Sequence, residues 1–404
     1  MRNSALLLTT LALASTGCTD EALRDALTGM YFVKLDSEPA KVASVAVELA
    51  DAFNLELVHV YDSASEGMSV RLPHLLVPEL EKVREIEFIV EDGEEQRLPD
   101  EETPADEDIS SDPAVVVGPD EVPASLVRVG APYVGGIDLS GVHVAVIDTG
   151  VDAAHPDLNV VGEIDIVAQS GSGGAAPGYD PNGHGTHVAG TIGASADSEG
   201  VVGVAPGVPI HAIRVLNEVG SGYWTDIVAG LEYVLEHPEI RVVNLSLGGP
   251  AMNGPDPMRD AIKRLEDSGV TVVIAAGNEA QDTANVAPAG YDLGVVVSAY
   301  DADGGDNGWA WFSNFGDAVD IAAPGVAIAS TWPDGQYADL DGTSMATPAV
   351  AGAAAVYMAL QPDATPAEVR QALIDTAEQS VPGQNGKHSE PLLDAEALFA
   401  SAGG

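Results

Sequence analysis

The fold is decided by one short stretch of the chain, Val142-His-Val-Ala-Val-Ile-Asp-Thr-Gly150. Its apolar run is rich in valine and ends at a turn signal, which predicts a short buried strand. Asp148 then stands at the carboxyl end of that strand. Downstream, similar apolar runs alternate with helical stretches, the pattern of an α/β sheet. We therefore expect an α/β domain with polar side chains at the edge of a parallel sheet.

Two further segments are predicted to begin helices at the same edge. Asn182-Gly-His-Gly-Thr-His-Val-Ala-Gly190 follows a flexible turn, and Gly342-Thr-Ser-Met-Ala-Thr-Pro348 leads into an apolar helix. Taken singly, a serine before a helix or an aspartate at a strand end is usually only a cap. Together they can act as one unit, because a His oriented by an Asp can take the proton of a Ser hydroxyl and make it a nucleophile.

These three motifs, in this order, closely resemble those of the subtilisin-like serine proteases. The resemblance runs from about Val122 to the C-terminus. It includes four shorter motifs: Asn244-Leu-Ser-Leu-Gly-Gly249, Ala275-Ala-Gly-Asn278, Phe312-Ser-Asn-Phe-Gly316 and Ala323-Pro-Gly325. It implies a three-layer α/β fold with a mostly parallel central sheet, and serine endopeptidase activity without a catalytic cofactor.

The resemblance implies a role for each candidate catalytic residue. Ser344 is expected to be the nucleophile, and His184 the base and then the acid. Asp148 would fix the tautomer of His184 and stabilise its imidazolium form. The side-chain amide of Asn278 and the backbone N–H of Ser344 would stabilise the oxyanion.

Other assignments of these residues fit less well. His187 is expected to pack inside its helix. A metal bound by His184 and His187 would lack the intervening glutamate of a zinc motif and a third ligand nearby. An α/β-hydrolase nucleophile elbow needs glycine where Ala346 stands.

The resemblance also implies where a substrate lies. The residues expected to bind it are Gly220, Ser221, Gly222, Ser246, Leu247, Gly248, Ala276 and Gly277. The first six would pair with an extended peptide backbone, which tolerates many sequences. Ala276 and Gly277 would line a pocket for an apolar P1 side chain. The glycine pairs could instead mark turns only. A non-catalytic surface binding protein and a narrow processing protease remain as alternatives.

A structural calcium ion is the cofactor that the resemblance implies. The loop Ser195–Val201 has the length at which the family holds calcium, in a site of oxygen ligands. The ligands expected for this site are Asp120, Asp157, Ser195, Asp197, Glu199 and Val201. A weaker second site would use Asp320 with carbonyl groups of Ala289, Tyr291 or Gly294. Acidic residues placed in loops by chance are the alternative.

A small domain is predicted ahead of the peptidase domain, which we assign to residues 119–400. Residues 28–98 predict the order βαββαβ, a ferredoxin-like α+β sandwich whose second helix lies around Pro78–Arg84. This order resembles the prosegments of the same proteases, which act as folding templates and inhibitors. An independent binding module is the alternative. Residues 99–118 are an acidic, proline-containing stretch that we interpret as a linker.

Composition limits the partners of the chain. Its 404 residues include 63 Asp and Glu against 16 Lys and Arg, for a net charge of −47. This charge repels nucleic acids and anionic membranes. A lone cysteine, Cys18, excludes an internal disulfide framework and a multi-cysteine zinc site. We expect polypeptide substrates, the chain's own propeptide as a partner, and a monomer.

The first 18 residues predict export from a bacterial cell. Arg2 precedes an apolar run of the length of a signal-peptide core, too short to span a bilayer. Gly17-Cys18 resembles a bacterial lipoprotein box, although Ser15 stands where that box usually carries leucine. The protein would be secreted or lipid-anchored at the cell surface, and a plain cleavage site with an incidental cysteine is the alternative.

Overall fold

The computed structural model describes residues 28–92, 95–97, 121–131, 136–170, 179–251, 254–302, 308–384 and 386–403. Two compact units are present: Met1–Asp62 with Glu66–Gly93, and Ser63–Ser65 with Glu94–Gly404. The predicted leader with Cys18, the acidic linker and Asp120 lie outside the described residues.

The smaller unit is a four-stranded antiparallel sheet with two helices. Its elements are β1 Thr28–Leu35, α1 Pro39–Phe53, β2 Glu56–Tyr61, β3 Gly67–Pro73, α2 Val77–Leu80 and β4 Ile86–Glu91. The strand order is β2-β3-β1-β4. Helix α1 begins with a proline in its first turn and is capped at its C-terminus by Asn54 in the left-handed conformation. The helix predicted near residues 78–84 is a single turn, preceded by a 3₁₀ turn over His74–Leu76.

The larger unit contains the remaining elements. Its strands are β5 Glu95–Arg97, β6 His143–Asp148, β7 Val160–Asp165, β8 Ile210–Arg214, β9 Ser221–Tyr223, β10 Ile240–Leu245, β11 Gly249–Pro250, β12 Thr271–Ala275, β13 Val286–Ala287, β14 Val295–Tyr300, β15 Ile321–Pro324, β16 Ile328–Trp332 and β17 Gln336–Leu340. Its helices are α3 Ala124–Arg128, α4 Ile166–Ser170, α5 His184–Gly193, α6 Trp224–Glu236, α7 Pro257–Asp267, α8 Thr343–Leu360, α9 Pro366–Thr376 and α10 Ala395–Ser401.

A seven-stranded parallel sheet forms the centre of this unit, in the order β15-β14-β12-β10-β6-β8-β7. Both of its faces are buried. Val144 and Val146 of β6 join one core cluster with residues of α5 and α8, whereas Ala145 and Ile147 are buried outside that cluster. Side chains alternate between the faces of a strand, so helices cover the sheet on both sides. The predicted α/β fold with a parallel sheet is confirmed.

Helix α8 is long and apolar enough to cross a membrane by length and composition, but 83% of it is buried inside the protein. It packs against α5 and against several strands of the sheet. We therefore describe it as the central core helix, and its first turn carries Ser344.

Strand order reverses between β6 and β10. From β6 the sheet extends through β8 to β7 on one side, and through β10 and β12 on the other. Such a reversal opens a crevice at the carboxyl ends of the strands, where the polar segments were predicted.

Candidate active site

Three adjacent strands deliver the candidate residues to this crevice. Strand β6 ends at Asp148, β10 leads into Ser246, and β12 leads into Gly277 and Asn278. Helices α5 and α8 begin at residues 184 and 343 and pack against each other. The residues predicted from three distant motifs therefore meet at one edge of the sheet.

Asp148 and His184 form a buried hydrogen-bonded pair. Nδ1 of His184 lies 2.7 Å from Oδ1 of Asp148, and both side chains are about 1% exposed or less. The same carboxylate oxygen accepts a hydrogen bond from the backbone N–H of Thr149. A carboxylate at Nδ1 favours the tautomer that carries its proton there, which leaves the lone pair on Nε2.

The turn before His184 is organised by a buried aspartate that the sequence analysis did not single out. The carboxylate of Asp180 accepts hydrogen bonds from Thr149, Asn182, Gly183 and Thr186, including both the backbone N–H and the hydroxyl of Thr186. Burial raises the pKa of Asp180, and these hydrogen bonds oppose the rise by stabilising the carboxylate. Asp180 fixes the start of helix α5 and so positions His184.

Ser344 lies fully buried in the first turn of α8. Its hydroxyl donates to the carbonyl of Ser246 at 3.3 Å, and in the part of the chain that the structure describes it has no hydrogen bond to His184. The carbonyl of Ser344 lacks its usual helical donor because Pro348 has no N–H. It accepts instead from the hydroxyl of Ser246 at 2.9 Å. This proline therefore joins the start of α8 to the loop after β10.

Two hydrogen-bond donors converge beside Gly342. The side-chain oxygen of Asn278 accepts from the backbone N–H and the hydroxyl of Thr343, which fixes the direction of its amide nitrogen. A Cβ at position 342 would lie 3.3 Å from Asn278 Nδ2 and 3.6 Å from the backbone nitrogen of Ser344. Only glycine leaves this space open. Both donors lie at the N-terminal end of a long helix, where the helix dipole favours negative charge.

His187 has a structural environment. Its Nε2 lies 2.8 Å from the carbonyl oxygen of Ile328 and 3.1 Å from that of Ala338. Burial and the neighbouring His184 lower the pKa of His187 to about 3. The ring is therefore neutral, and its Nε2 is engaged by two backbone carbonyl groups. This environment agrees with the expectation that His187 packs inside the protein.

The predicted substrate strand β9 is paired with a segment of the chain itself. The backbone of β5 lies antiparallel to β9, with Gln96 opposite Gly222 and Arg97 opposite Ser221. Strand β5 also contacts β11, which follows Gly248. β5 therefore lies between the two segments that were predicted to flank a substrate.

The predicted pocket residues adjoin a charged side chain. A Cβ at Gly277 would lie 2.4 Å from Asn314 Nδ2 and 2.8 Å from Glu279 Oε2. The Asn314 amide donates to the carbonyl of Ala276 at 2.9 Å and to Glu279. Glycine is thus required at 277, and a carboxylate stands beside the predicted P1 pocket.

Most residues of the first predicted calcium site lie in one loop cluster. Oδ2 of Asp157 accepts from the backbone of Val201 and from the hydroxyl of Tyr337. Asp157 is 1% exposed, and its burial raises the pKa of its carboxyl, with the charge of Asp197 adding to the rise. A Cβ at Gly200 would lie 2.1 Å from Asp157 Oδ2. The loop therefore closes directly on a buried carboxylate.

Backbone contacts complete this cluster. The N–H of Ser195 donates to the carbonyl of Asp157 at 2.9 Å, and that of Glu199 donates to Asp197 Oδ1 at 3.2 Å. The N–H of Glu121 donates to the carbonyl of Gly200, so the chain directly after Asp120 runs beside the loop. Asp157 is buried, whereas the side chains of Asp197 and Glu199 are exposed. The carboxyls of Asp157 and Asp197 are close enough to repel each other, and a bound cation would relieve that repulsion.

Asp320 is already engaged by a cation. Arg370 donates to its Oδ1 at 2.7 Å, and the backbone N–H of Val296 donates to Oδ2. Burial raises the pKa of Asp320, and Arg370 opposes the rise. The guanidinium group supplies the positive charge that a calcium ion at the second predicted site would supply, which disfavours that site.

Comparisons with known proteins agree with this geometry. A model of the subtilase family matches residues 140–392. Subtilisin DY of Bacillus licheniformis is 41% identical over 262 residues, which are 64% of this chain and 90% of that protein. Subtilisin E of Bacillus subtilis (strain 168) is 42% identical over 261 residues, covering 63% of this chain and 66% of that protein.

A longer relative and a solved structure extend the likeness. An alkaline protease of Alkalihalobacillus alcalophilus is 40% identical over 296 residues, covering 73% of this chain and 74% of that protein. A solved structure described as a cold adapted subtilisin-like serine proteinase matches with a TM-score of 0.55 and 35% identity, over 64% of this chain and 90% of that one.

Proposed function

Because this chain belongs to the subtilase family of serine endopeptidases, we propose that it hydrolyses internal peptide bonds with Asp148, His184 and Ser344 as its catalytic triad. The observation that carries this proposal is the buried 2.7 Å contact between His184 and Asp148 at the sheet edge where α8 begins with Ser344. Catalytic hydrogen bonds are often long or misaligned without substrate, so the present direction of the Ser344 hydroxyl is compatible with this role.

In acylation, the Ser344 oxygen attacks the scissile carbonyl carbon while Nε2 of His184 accepts the hydroxyl proton. Asp148 stabilises the imidazolium that forms. The carbonyl oxygen becomes an oxyanion, held by the Asn278 amide and the Ser344 N–H. The C–N bond then breaks, and His184 gives its proton to the leaving amine.

Deacylation repeats these steps with water. The water oxygen attacks the carbonyl carbon of the acyl ester on Ser344 while His184 accepts a proton from the water. The ester C–O bond breaks, the carboxylic acid product leaves, and the proton returns to the Ser344 oxygen. No catalytic cofactor is needed for either half-reaction.

We propose that substrates bind as an added strand between β9 and the loop after β10. The pairing of β5 with β9 supports this, because an extended segment of this chain already occupies that position. Recognition through the backbone favours broad specificity, with P1 side chains directed to the pocket at Ala276 and Gly277.

The same segment supports synthesis as a zymogen, with residues 28–98 as propeptide. Strand β5 directly follows the small unit in the chain. It runs antiparallel to β9, with Gln96 opposite Gly222 and Arg97 opposite Ser221. Strand β5 therefore lies along the strand where we propose that a peptide substrate binds, as expected for the end of an inhibitory propeptide.

We propose one structural calcium ion, held by the side chains of Asp157 and Asp197 and by carbonyl groups of the 195–201 loop. Asp120 would join once a mature N-terminus forms. Bound there, calcium would neutralise the clustered carboxylates and stabilise the folded unit.

We also propose export through the N-terminal 18 residues, followed by secretion or by lipid attachment at Cys18. The apolar run after Arg2 and the Gly17-Cys18 pair support this proposal.

Hydrolysis of casein by the purified protein tests the proposed activity. Ser344→Ala should lower kcat/KM by at least about 10⁴-fold, because the nucleophile is lost. Ser389→Ala removes an exposed serine outside the site and serves as the matched control. Equal activity of the two variants would contradict the proposal.

A further inference from the structure

A cluster of metal-binding side chains lies at the opposite edge of the parallel sheet. His143 is the first residue of β6, His211 is the second residue of β8, and Glu239 directly precedes β10. Their ligand atoms all lie within 4.8 Å of one another. His143 and Asp148 are five residue steps apart along β6, or about 16 Å at 3.3 Å per step. The cluster is therefore remote from the triad.

We propose that His143, His211 and Glu239 bind a divalent transition-metal ion, with zinc as the best match. Two imidazole nitrogens and one carboxylate oxygen form a donor set that zinc accepts readily. Calcium prefers oxygen ligands alone, so this site and the 195–201 loop would select different ions. A water molecule would complete the coordination, since Glu239 is exposed to solvent.

The distance between the two rings fits such an ion. Nδ1 of His143 lies 2.9 Å from Nε2 of His211. Two nitrogens bound at 2.0–2.1 Å to a tetrahedral ion are about 3.3 Å apart, and about 2.9 Å apart at a right angle. The rings therefore need to separate by only a few tenths of an ångström to bind zinc.

A hydrogen-bond partner orients the buried ring. Nδ1 of His211 lies 3.2 Å from the hydroxyl of Tyr233, and donation of its proton there leaves the Nε2 lone pair facing His143. Partners of this kind fix the tautomer of metal-binding histidines. The glycine at 162 makes room for the ring, because a Cβ there would lie 2.4 Å from Nδ1. The site is thus shaped around His211.

Backbone contacts hold the other two ligands together. The N–H of His143 donates to the carbonyl of Glu239 at 3.1 Å. The two residues therefore cannot separate without breaking this backbone hydrogen bond at the start of β6 and β10. A bound ion would join β6, β8 and the residue before β10.

Zinc binding to the full-length, tag-free Ser344→Ala protein, in buffer saturated with calcium, tests this proposal. We expect one zinc ion to bind by calorimetry and to raise the melting temperature. His143→Gln and Glu239→Gln alter residues that are not fully buried, and each should weaken zinc binding at least tenfold. Tyr233→Phe should weaken it by about 10–100-fold, the usual effect of losing an orienting partner.

Matched controls are His74→Gln and Glu218→Gln, which change a histidine and a glutamate outside the cluster. Neither should alter zinc affinity. Cobalt in place of zinc should give visible absorption bands that His143→Gln removes. Equal zinc affinity in the Ser344→Ala protein and in its His143→Gln and Glu239→Gln variants would overturn the proposal and leave the two rings as a hydrogen-bonded pair only.

Discussion

At the scale of single residues, a variant of Asn278 tests oxyanion stabilisation without altering the catalytic triad. Asn278→Ala should lower kcat by about 10²–10³-fold, the effect of removing one such donor from a subtilisin. KM should change little, because the amide acts on charge that develops only in the transition state. Steady-state kinetics on a peptide anilide measures both constants.

The control for this variant is a melting curve, because Asn278 also accepts two hydrogen bonds from Thr343. If the melting temperature is unchanged and kcat is lower, the lower kcat results from weaker transition-state stabilisation and not from a less stable fold. A higher KM with an unchanged kcat would instead assign Asn278 to substrate binding and contradict its proposed role.

Single residues also show which parts of the site can be predicted from the sequence. His184 was assigned through its motif, and its 2.7 Å contact with Asp148 fits that assignment. Asp180 was missed because an aspartate ahead of a turn looks like any loop residue. Its donors come from two separate segments, at Thr149 and at Thr186, and only the folded chain brings them to one carboxylate.

At the scale of elements, the 195–201 loop should make stability depend on calcium. Chelation by EDTA should lower the melting temperature and speed self-digestion, and Asp157→Ala should abolish that sensitivity. Asp363→Ala, which changes an exposed aspartate outside the loop, should retain it. Calorimetric melting with and without EDTA measures the difference. Identical curves for the unaltered protein with and without EDTA would exclude the site.

Calcium affinity should also weaken in acid. Burial raises the pKa of Asp157 above its usual value, and only the ionised carboxylate binds calcium. As pH falls through this raised pKa, protons compete with the ion, so the calcium needed for half-maximal stabilisation should increase.

The N-terminal elements predict where the zymogen is cut. Because β5 lies along β9, where a substrate is proposed to bind, cleavage should begin just beyond Arg97, and trimming of the acidic linker should follow to about residues 118–120. Mass spectrometry of active protein should find an N-terminus between about 98 and 121, and Ser344→Ala should stay whole. Full activity in an uncut chain would refute this maturation scheme.

Among the elements, the buried strand predicted from Val142–Ile147 is β6 His143–Asp148, because a short valine-rich run that ends at a turn favours a strand. The other strands of the parallel sheet were predicted only as a general α/β pattern. Periodicity placed the second helix of the small unit too far along the chain and made it too long. That segment is a 3₁₀ turn followed by one helical turn, and short helices depend on packing rather than on pattern.

At the scale of the whole molecule, the net charge of −47 should make stability depend on salt. Exposed carboxylates repel one another, and salt screens this repulsion over a Debye length of about 10 Å at 0.1 M. The melting temperature, measured with calcium fixed, should therefore rise with NaCl into the molar range. A flat or falling melting temperature would show that this repulsion is not important for stability.

The central claim, that the fold activates Ser344 as a nucleophile, is tested most directly by covalent labelling. A fluorophosphonate should lose fluoride to form one phosphonyl ester per chain, and peptide mass mapping should locate it at Ser344. His184→Ala, which removes the base, should slow the labelling severely. Labelling at another serine, or an equal rate in His184→Ala, would contradict the account.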